Sequence, residues 1–139
     1  MLCRDLMKSV VLCAAADTTV TQAAMLMRDE QIGFLPICDQ AGNVIGVLTD
    51  RDIAIRVVAE NRSADEPVEE FMSSKIVACR SDDDLAVAQE QMGELQVSRI
   101  ICLDENGRLQ GVISLSDIAQ VGDDAASTLR NVSQREARI

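Results

Sequence analysis

The sequence predicts an α+β protein: two βαββα repeats packed through their sheets with pseudo-twofold symmetry. Three observations predict it. Shifted by 65 residues, the chain matches itself without a gap, and about a quarter of the aligned positions are identical. One segment of each copy carries apolar residues at helical spacing: Val20, Ala23, Ala24 and Met27 in the first, Leu85, Ala88 and Met92 in the second. Two short apolar runs then flank a Gly-containing turn in each copy. The repeats take residues 1–60 and 67–122, with a polar linker at 61–66 and a polar, charged tail at 123–139. A unit of about 60 residues buries too little surface to be comfortable alone, so the two copies are expected to share their burial.

Each repeat opens with a short helix, Leu2 to Lys8 or Pro67 to Met72. Pro67 suits the first helical turn, where its missing N–H has no partner to lose. A strand follows, Val10 to Ala14 or Ile76 to Cys79. The amphipathic helix comes next, capped from Asp17-Thr18-Thr19 or Ser81-Asp82-Asp83. A hairpin is then expected from Phe34–Cys38 with Val44–Leu48, and from Ser98–Leu103 with Leu109–Ile113. Asn106-Gly107 marks the second turn, because both residues tolerate positive φ. A last helix opens at Thr49 or Ser114. Met25, Met27 and Met92 read as core filling. Asp82-Asp83-Asp84 reads as a helix N-terminal charge cluster, and Glu66, Glu69 and Glu70 as solvated.

Composition excludes several functions. The net charge is −10, which opposes nucleic-acid binding and docking on an anionic membrane. Phe34 and Phe71 are the only aromatics, so no platform exists for stacking single-stranded bases. The five cysteines form no CxxC pair, and the chain has no histidine. A structural metal is therefore not expected, and Cys-His or Ser-His catalysis is absent. Apolar free cysteines point to a reducing, cytoplasmic setting. The run Val10 to Ala16 is too short for a signal-peptide core and reads as a buried strand.

The chemistry sits where the last strand of each repeat runs into a helix, at Gly46-Val47-Leu48-Thr49-Asp50-Arg51-Asp52 and Gly111-Val112-Ile113-Ser114-Leu115-Ser116-Asp117. A helix start offers free N–H groups and a positive dipole end, which suit a phosphate. A carboxylate one turn in can accept two hydrogen bonds from a sugar diol. The glycine permits close approach of a ligand or of neighbouring chain. The same hydroxyl-x-x-acid pattern is also a capping box, which needs no ligand. Both readings stand at this level.

Leu6-Met7, Phe71-Met72, the run Ile32 to Ile37, Asp39 with Gly42, and Gly46 to Ile53 together resemble a tandem cystathionine β-synthase (CBS) domain pair, or Bateman module, over about residues 1–122. The resemblance implies a regulatory module and no enzymatic activity. It implies adenine nucleotides (AMP, ADP or ATP) as regulatory ligands, with no cofactor required, in clefts between the two repeats. Asp52 and Asp117 would hold ribose hydroxyls, with Thr49 and Ser114 beside the ribose or phosphate. Val10, Val11, Phe34 and Pro36 would meet one adenine; Ile76, Val77, Arg99 and Ile101 would meet the other. Arg51, Arg56 and Arg99 would reach phosphates, with Asp50 beside them.

The second repeat departs from this pattern. Ile101 replaces Pro36, Ser98 replaces Gly33, Arg99 replaces Phe34, and Leu115-Ser116 replaces Asp50-Arg51. Unequal sites follow, with the Thr49–Asp52 junction expected to favour the more phosphorylated ligand. Family members also bind S-adenosylmethionine or NAD-type molecules, and a dimerisation module with degenerate sites is the rival reading. A homodimer is expected through Val20, Ala24 and Met27 with Leu85, Ala88 and Met92. An effector enzyme or transporter is a further partner the resemblance implies.

Overall fold

A computed structural model describes residues 1–9 and 12–121. In chain order the elements are α1 (Cys3–Leu6), β1 (Lys8–Ser9), β2 (Ala14–Ala15), α2 (Val20–Glu30), β3 (Phe34–Cys38), β4 (Val44–Thr49), α3 (Asp50–Asp52), β5 (Ala78–Arg80), α4 (Leu85–Leu95), β6 (Arg99–Leu103), β7 (Leu109–Ser114) and α5 (Leu115–Ala119). A π-helical stretch, Ile53–Val58, continues α3, and a 3-10 turn spans Val68–Glu70. The expected strand from Val10 begins later, at Ala14; Val10, Val11 and the 123–139 tail lie outside the described residues.

The compact units are not the sequence repeats. The chain divides between Val11 and Leu12 and again between Ile76 and Val77. One unit is contiguous, Leu12–Ile76; the other is split, joining the N-terminal segment to the chain from Val77 onward. Repeat boundaries at 1–60 and 67–122 therefore cut across both units. Each repeat's opening segment, its leader, packs with the body of the other repeat.

Backbone hydrogen bonds carry this exchange, and each has a counterpart 65 residues away. In the split unit the N–H groups of Cys3 and Arg4 donate to the carbonyls of Asp83 and Ser81, both at 2.8 Å. In the contiguous unit Val68 and Glu69 donate to Thr18 and Ala16, at 2.8 and 3.2 Å. Lys8 pairs with Val112 and Ser9 with Gly111, adding β1 to the edge of a four-stranded sheet ordered β1-β7-β6-β5. Ser73 pairs with Val47 through two 2.9 Å backbone bonds, beside the three-stranded sheet β2-β3-β4. The strand at Lys8–Ser9 falls where sequence suggested a helix end.

Each unit has its own core. In the contiguous unit Val20, Ala23 and Met27 of α2 pack with Leu35, Ile37, Leu48 and Val57, and with Val68 and Phe71 from the leader. In the split unit Cys3 joins Cys79, Leu85, Ala88, Met92, Ile100, Cys102, Ile113 and Ile118. Burying one large apolar side chain contributes about 1.5–3 kcal/mol. The helical residues expected to form a dimer surface are thus core residues: the i, i+3, i+7 stripe faces inward. Ala24 lies outside that stripe and is exposed. Met25 is 46% exposed and fills no core.

The turns refine the expected pattern. Asp39 Oδ1 accepts from the N–H groups of Ala41 and Asn43, and Asp104 Oδ1 from those of Asn106 and Arg108. Gly42 (φ 87°) and Gly107 (φ 80°) adopt positive φ while Asn106 does not. Both long helices end on a left-handed glutamine, Gln31 or Gln96, again 65 residues apart. The α4 cap is Asp84, whose carboxylate accepts from Ala86 N–H, one residue later than expected. Glu66 is engaged rather than merely solvated: it accepts two hydrogen bonds from Arg62, at 2.6 and 3.0 Å.

Candidate functional site

In the contiguous unit β4 ends at Thr49, which caps α3 in extended conformation. Thr49 Oγ1 accepts from Asp52 N–H at 3.1 Å, and Thr49 N–H donates to Asp52 Oδ2 at 2.9 Å. The capping box is complete. Asp52 Oδ1 faces Arg56 Nε at 3.8 Å, and Arg56 Nη1 donates to the Phe71 carbonyl at 3.0 Å. Arg56 is thus anchored to the leader segment. Phe34 lies opposite Thr49 in the β3–β4 register, half-buried.

In the split unit Ser114 Oγ accepts from Asp117 N–H at 3.2 Å, and Ser114 N–H donates to Asp117 Oδ2 at 2.9 Å. Asp117 Oδ1 faces Lys8 Nζ at 3.6 Å. Burial of Asp117 pushes its pKa up, but the Ser114 hydrogen bonds and the Lys8 ammonium outweigh this and hold it below the ordinary 3.8. Arg99 lies opposite Ser114 on β6 and is exposed.

Lys8 is the residue that sequence reasoning missed. The second junction has Leu115-Ser116 in place of Asp50-Arg51 and so no cation at its helix start, yet Lys8 reaches its carboxylate from the exchanged leader. The offset gave no hint, because the equivalent of Lys8 is Ser73. Each junction carboxylate therefore faces one cation, from the same helix in one unit and from β1 in the other.

The remaining sequence candidates are distributed as follows. Arg51 is exposed. Asp50 is exposed too; its N–H donates to the Gly33 carbonyl at 3.0 Å, and a Cβ on Gly33 would lie 2.7 Å from Asp50 Oδ2. Gly33 thus makes room for the first turn of α3. Pro36 and Ile101 are closed to solvent, whereas Ile76 and Val77 are half-buried, Val77 against the split-unit core. Gly46 and Gly111 admit neighbouring chain: a Cβ on Gly46 would strike Met72 Sδ, and one on Gly111 would lie 2.6 Å from the Lys8 carbonyl.

The CBS domain family model matches residues 3–59 and again 68–124, both copies of the repeat. The chain belongs to the CBS domain family. This CBS pair is 34% identical over 135 residues to the CBS domain-containing protein YhcV of Bacillus subtilis, covering 95% of each. It resembles the crystal structure of hypoxic response protein I, known from Mycobacterium tuberculosis, with TM-score 0.75 and 33% identity over 86% of this chain and 98% of that one. That structure holds two coordinated zinc ions. It also has the fold of the CBS domain pair of protein MJ0100, at TM-score 0.77 and 24% identity, covering 87% and 94%. The MJ0100 structure is a complex with 5′-methylthioadenosine and S-adenosyl-L-methionine.

Zinc asks for about four thiolate, imidazole or carboxylate ligands around one point. This CBS pair has no histidine, and its described residues contain no group of three or more side chains placed to hold a metal ion. No helix among them is long and apolar enough to cross a membrane.

Proposed function

We propose that this CBS pair is a regulatory module, not an enzyme, that binds adenine nucleotides at its two strand-to-helix junctions. One observation carries the reading. Each junction carboxylate gives one oxygen to the capping box and keeps the other for a single ion pair, longer than a hydrogen bond, at 3.8 Å for Asp52 and 3.6 Å for Asp117. That second oxygen can accept from a ribose diol, and the displaced Arg56 or Lys8 can turn to a phosphate. Thr49 and Ser114 sit at the helix starts, with Phe34 and Arg99 across the strand from them. Arg51 places an exposed guanidinium in the first turn of the helix at the first junction, where the second junction has Ser116 and its Arg99 lies on a strand, so the first junction takes the more phosphorylated ligand. Val10, Val11, Pro36, Ile76, Val77 and Ile101 remain the apolar residues proposed for adenine. The MJ0100 complex supports an adenosine-containing ligand, S-adenosylmethionine included, at the level of a shared fold. A cytoplasmic setting and an effector enzyme or transporter complete the reading.

The two complete capping boxes favour a second reading, a homodimerisation module that needs no ligand. With the α2 and α4 stripes buried, such a dimer would draw on exposed apolar residues such as Met25, Val87 and Leu95. A thermal-shift screen with AMP, ADP, ATP, NAD and S-adenosylmethionine decides between the readings, since a site-specific ligand raises Tm as RT ln(1 + [L]/Kd) grows. The nucleotide reading expects a shift with AMP, ADP or ATP. It also expects Asp52→Asn to weaken binding by about 1–3 kcal/mol in calorimetric titration. No shift with any compound, together with a dimer in sedimentation velocity, establishes the second reading.

A further inference from the structure

We propose that Cys13 and Cys38 form a redox modification site, in which Cys13 reacts with a hydroperoxide and Cys38 resolves the product into a Cys13–Cys38 disulfide. The five cysteines fall into two groups of different character. Cys3, Cys79 and Cys102 are buried in the split-unit core, with the Cys79 sulfur 3.7 Å from each of the other two. Cys13 is exposed and Cys38 buried, and both line one cleft of about 430 Å³ in the contiguous unit. In the β2–β3 register Ala14 lies opposite Ile37 and Ala15 opposite Cys38. Cys13 immediately precedes β2, and it and Ala15 are exposed where Ala14 between them is buried, so Cys13 emerges on the side of the strand pair that carries Cys38. Burial and the adjacent Cys13 push the Cys38 thiol up to about 12, so it is the protonated partner of the pair at neutral pH.

An accessible thiol beside a shielded partner is the arrangement of a reacting and a resolving cysteine. The Cys13 thiolate attacks one peroxide oxygen; the O–O bond breaks, leaving Cys13 as a sulfenic acid and releasing hydroxide or the alkoxide. The Cys38 sulfur then attacks the Cys13 sulfur. The S–O bond breaks, the disulfide forms, and water leaves with the Cys38 proton. Two thiols have lost two electrons to the peroxide. The cleft also selects its oxidant. Asp17, Asp39 and Glu69 line it with no basic residue among the lining side chains. An uncharged hydroperoxide passes these carboxylates, whereas an anionic disulfide such as oxidised glutathione is repelled.

The test uses the full chain. Trypsin places Cys13 on the peptide of residues 9–28 and Cys38 on 29–51, with Cys3, Cys79 and Cys102 on three others. After brief exposure to hydrogen peroxide, quenching and alkylation in denaturant, mass spectrometry is expected to find 9–28 joined to 29–51 and the other three cysteines alkylated. Oxidised glutathione should give the same product at least about tenfold more slowly. Cys38→Ser should arrest Cys13 at the sulfenic acid, captured by dimedone; Cys38→Ala repeats this if the serine variant does not fold, as judged by circular dichroism. The proposal is overturned if wild type yields no joined peptide. It is equally overturned if Cys13 sulfenic acid accumulates as much in wild type as in the Cys38 variants, or if the buried cysteines oxidise first.

Discussion

Asp117 shows how one side chain serves two tasks. Its Oδ2 closes the capping box with Ser114, and its Oδ1 faces Lys8. The hydroxyl-x-x-acid spacing made the cap legible in both repeats, because a capping box depends only on residues three apart. Lys8 was not legible, because its approach depends on a chain exchange over more than a hundred residues. The lowered pKa has a consequence with a definite sign. The unfolded chain binds the Asp117 proton more readily than the folded one, so stability rises with pH across this titration. The contribution is present above the ordinary value of 3.8 and is lost as pH falls through the lowered one. Urea unfolding is expected to show Asp117→Asn about 1 kcal/mol less stable than wild type at pH 6, the scale of a helix cap. That gap should close as pH drops below about 4. A gap constant down to pH 2 would mean that the carboxylate charge contributes nothing.

At the scale of elements, the helices and hairpins were readable and the leaders were not. Periodicity and turn residues are local signals; they placed α2, α4 and both hairpins within a residue or two. They could not say which sheet edge a two-residue strand joins. The apolar stripe on α2 is legible in the sequence but its destination is not: Val20 and Met27 face the core because Val68 and Phe71 arrive to cover them. The glycines held the missing signal. At Gly46 and Gly111 the exchanged leaders pass within contact of the strand backbone, and the two glycines differ in what an added methyl would strike. On Gly111 the nearest atom is the Lys8 backbone carbonyl, at 2.6 Å, whereas on Gly46 it is the flexible Met72 side chain. Gly111→Ala is therefore expected to destabilise by about 1–3 kcal/mol, the range for overpacking, and Gly46→Ala by less. Denaturant midpoints of the two variants check the order, and an equal or inverted cost would show that the β1 backbone yields freely.

For the whole molecule, the repeat predicts two equivalent halves, and the fold delivers two units that are not equivalent in chain connectivity. The Leu12–Ile76 unit contains every residue of its own core, including Val68 and Phe71. A fragment of residues 12–76 is expected to unfold cooperatively on its own, whereas a fragment of residues 1–60, the first repeat as read from sequence, lacks those two side chains. Phe71 alone is 2% exposed, and removing a buried Phe side chain costs about 3–5 kcal/mol. Circular dichroism melts of the two fragments make the comparison. A folded 1–60 beside an unstructured 12–76 would show that the leader exchange does not carry the stability assigned to it.

The same connectivity sets an order of events during synthesis. The ribosome makes α1 and β1 well before their partner, because the strand that receives β1 ends at Ser114, close to the end of the described chain. By the time residue 76 has emerged, the contiguous unit has all its parts and the leader has none of its partners. At roughly 5–20 residues per second, the opening segment waits several seconds for β7. A segment that leaves the tunnel early is thus seated late. Throughout that interval Cys3, Leu6 and Met7, which the finished protein keeps covered or half-covered, are on offer to any chaperone that recognises short apolar segments.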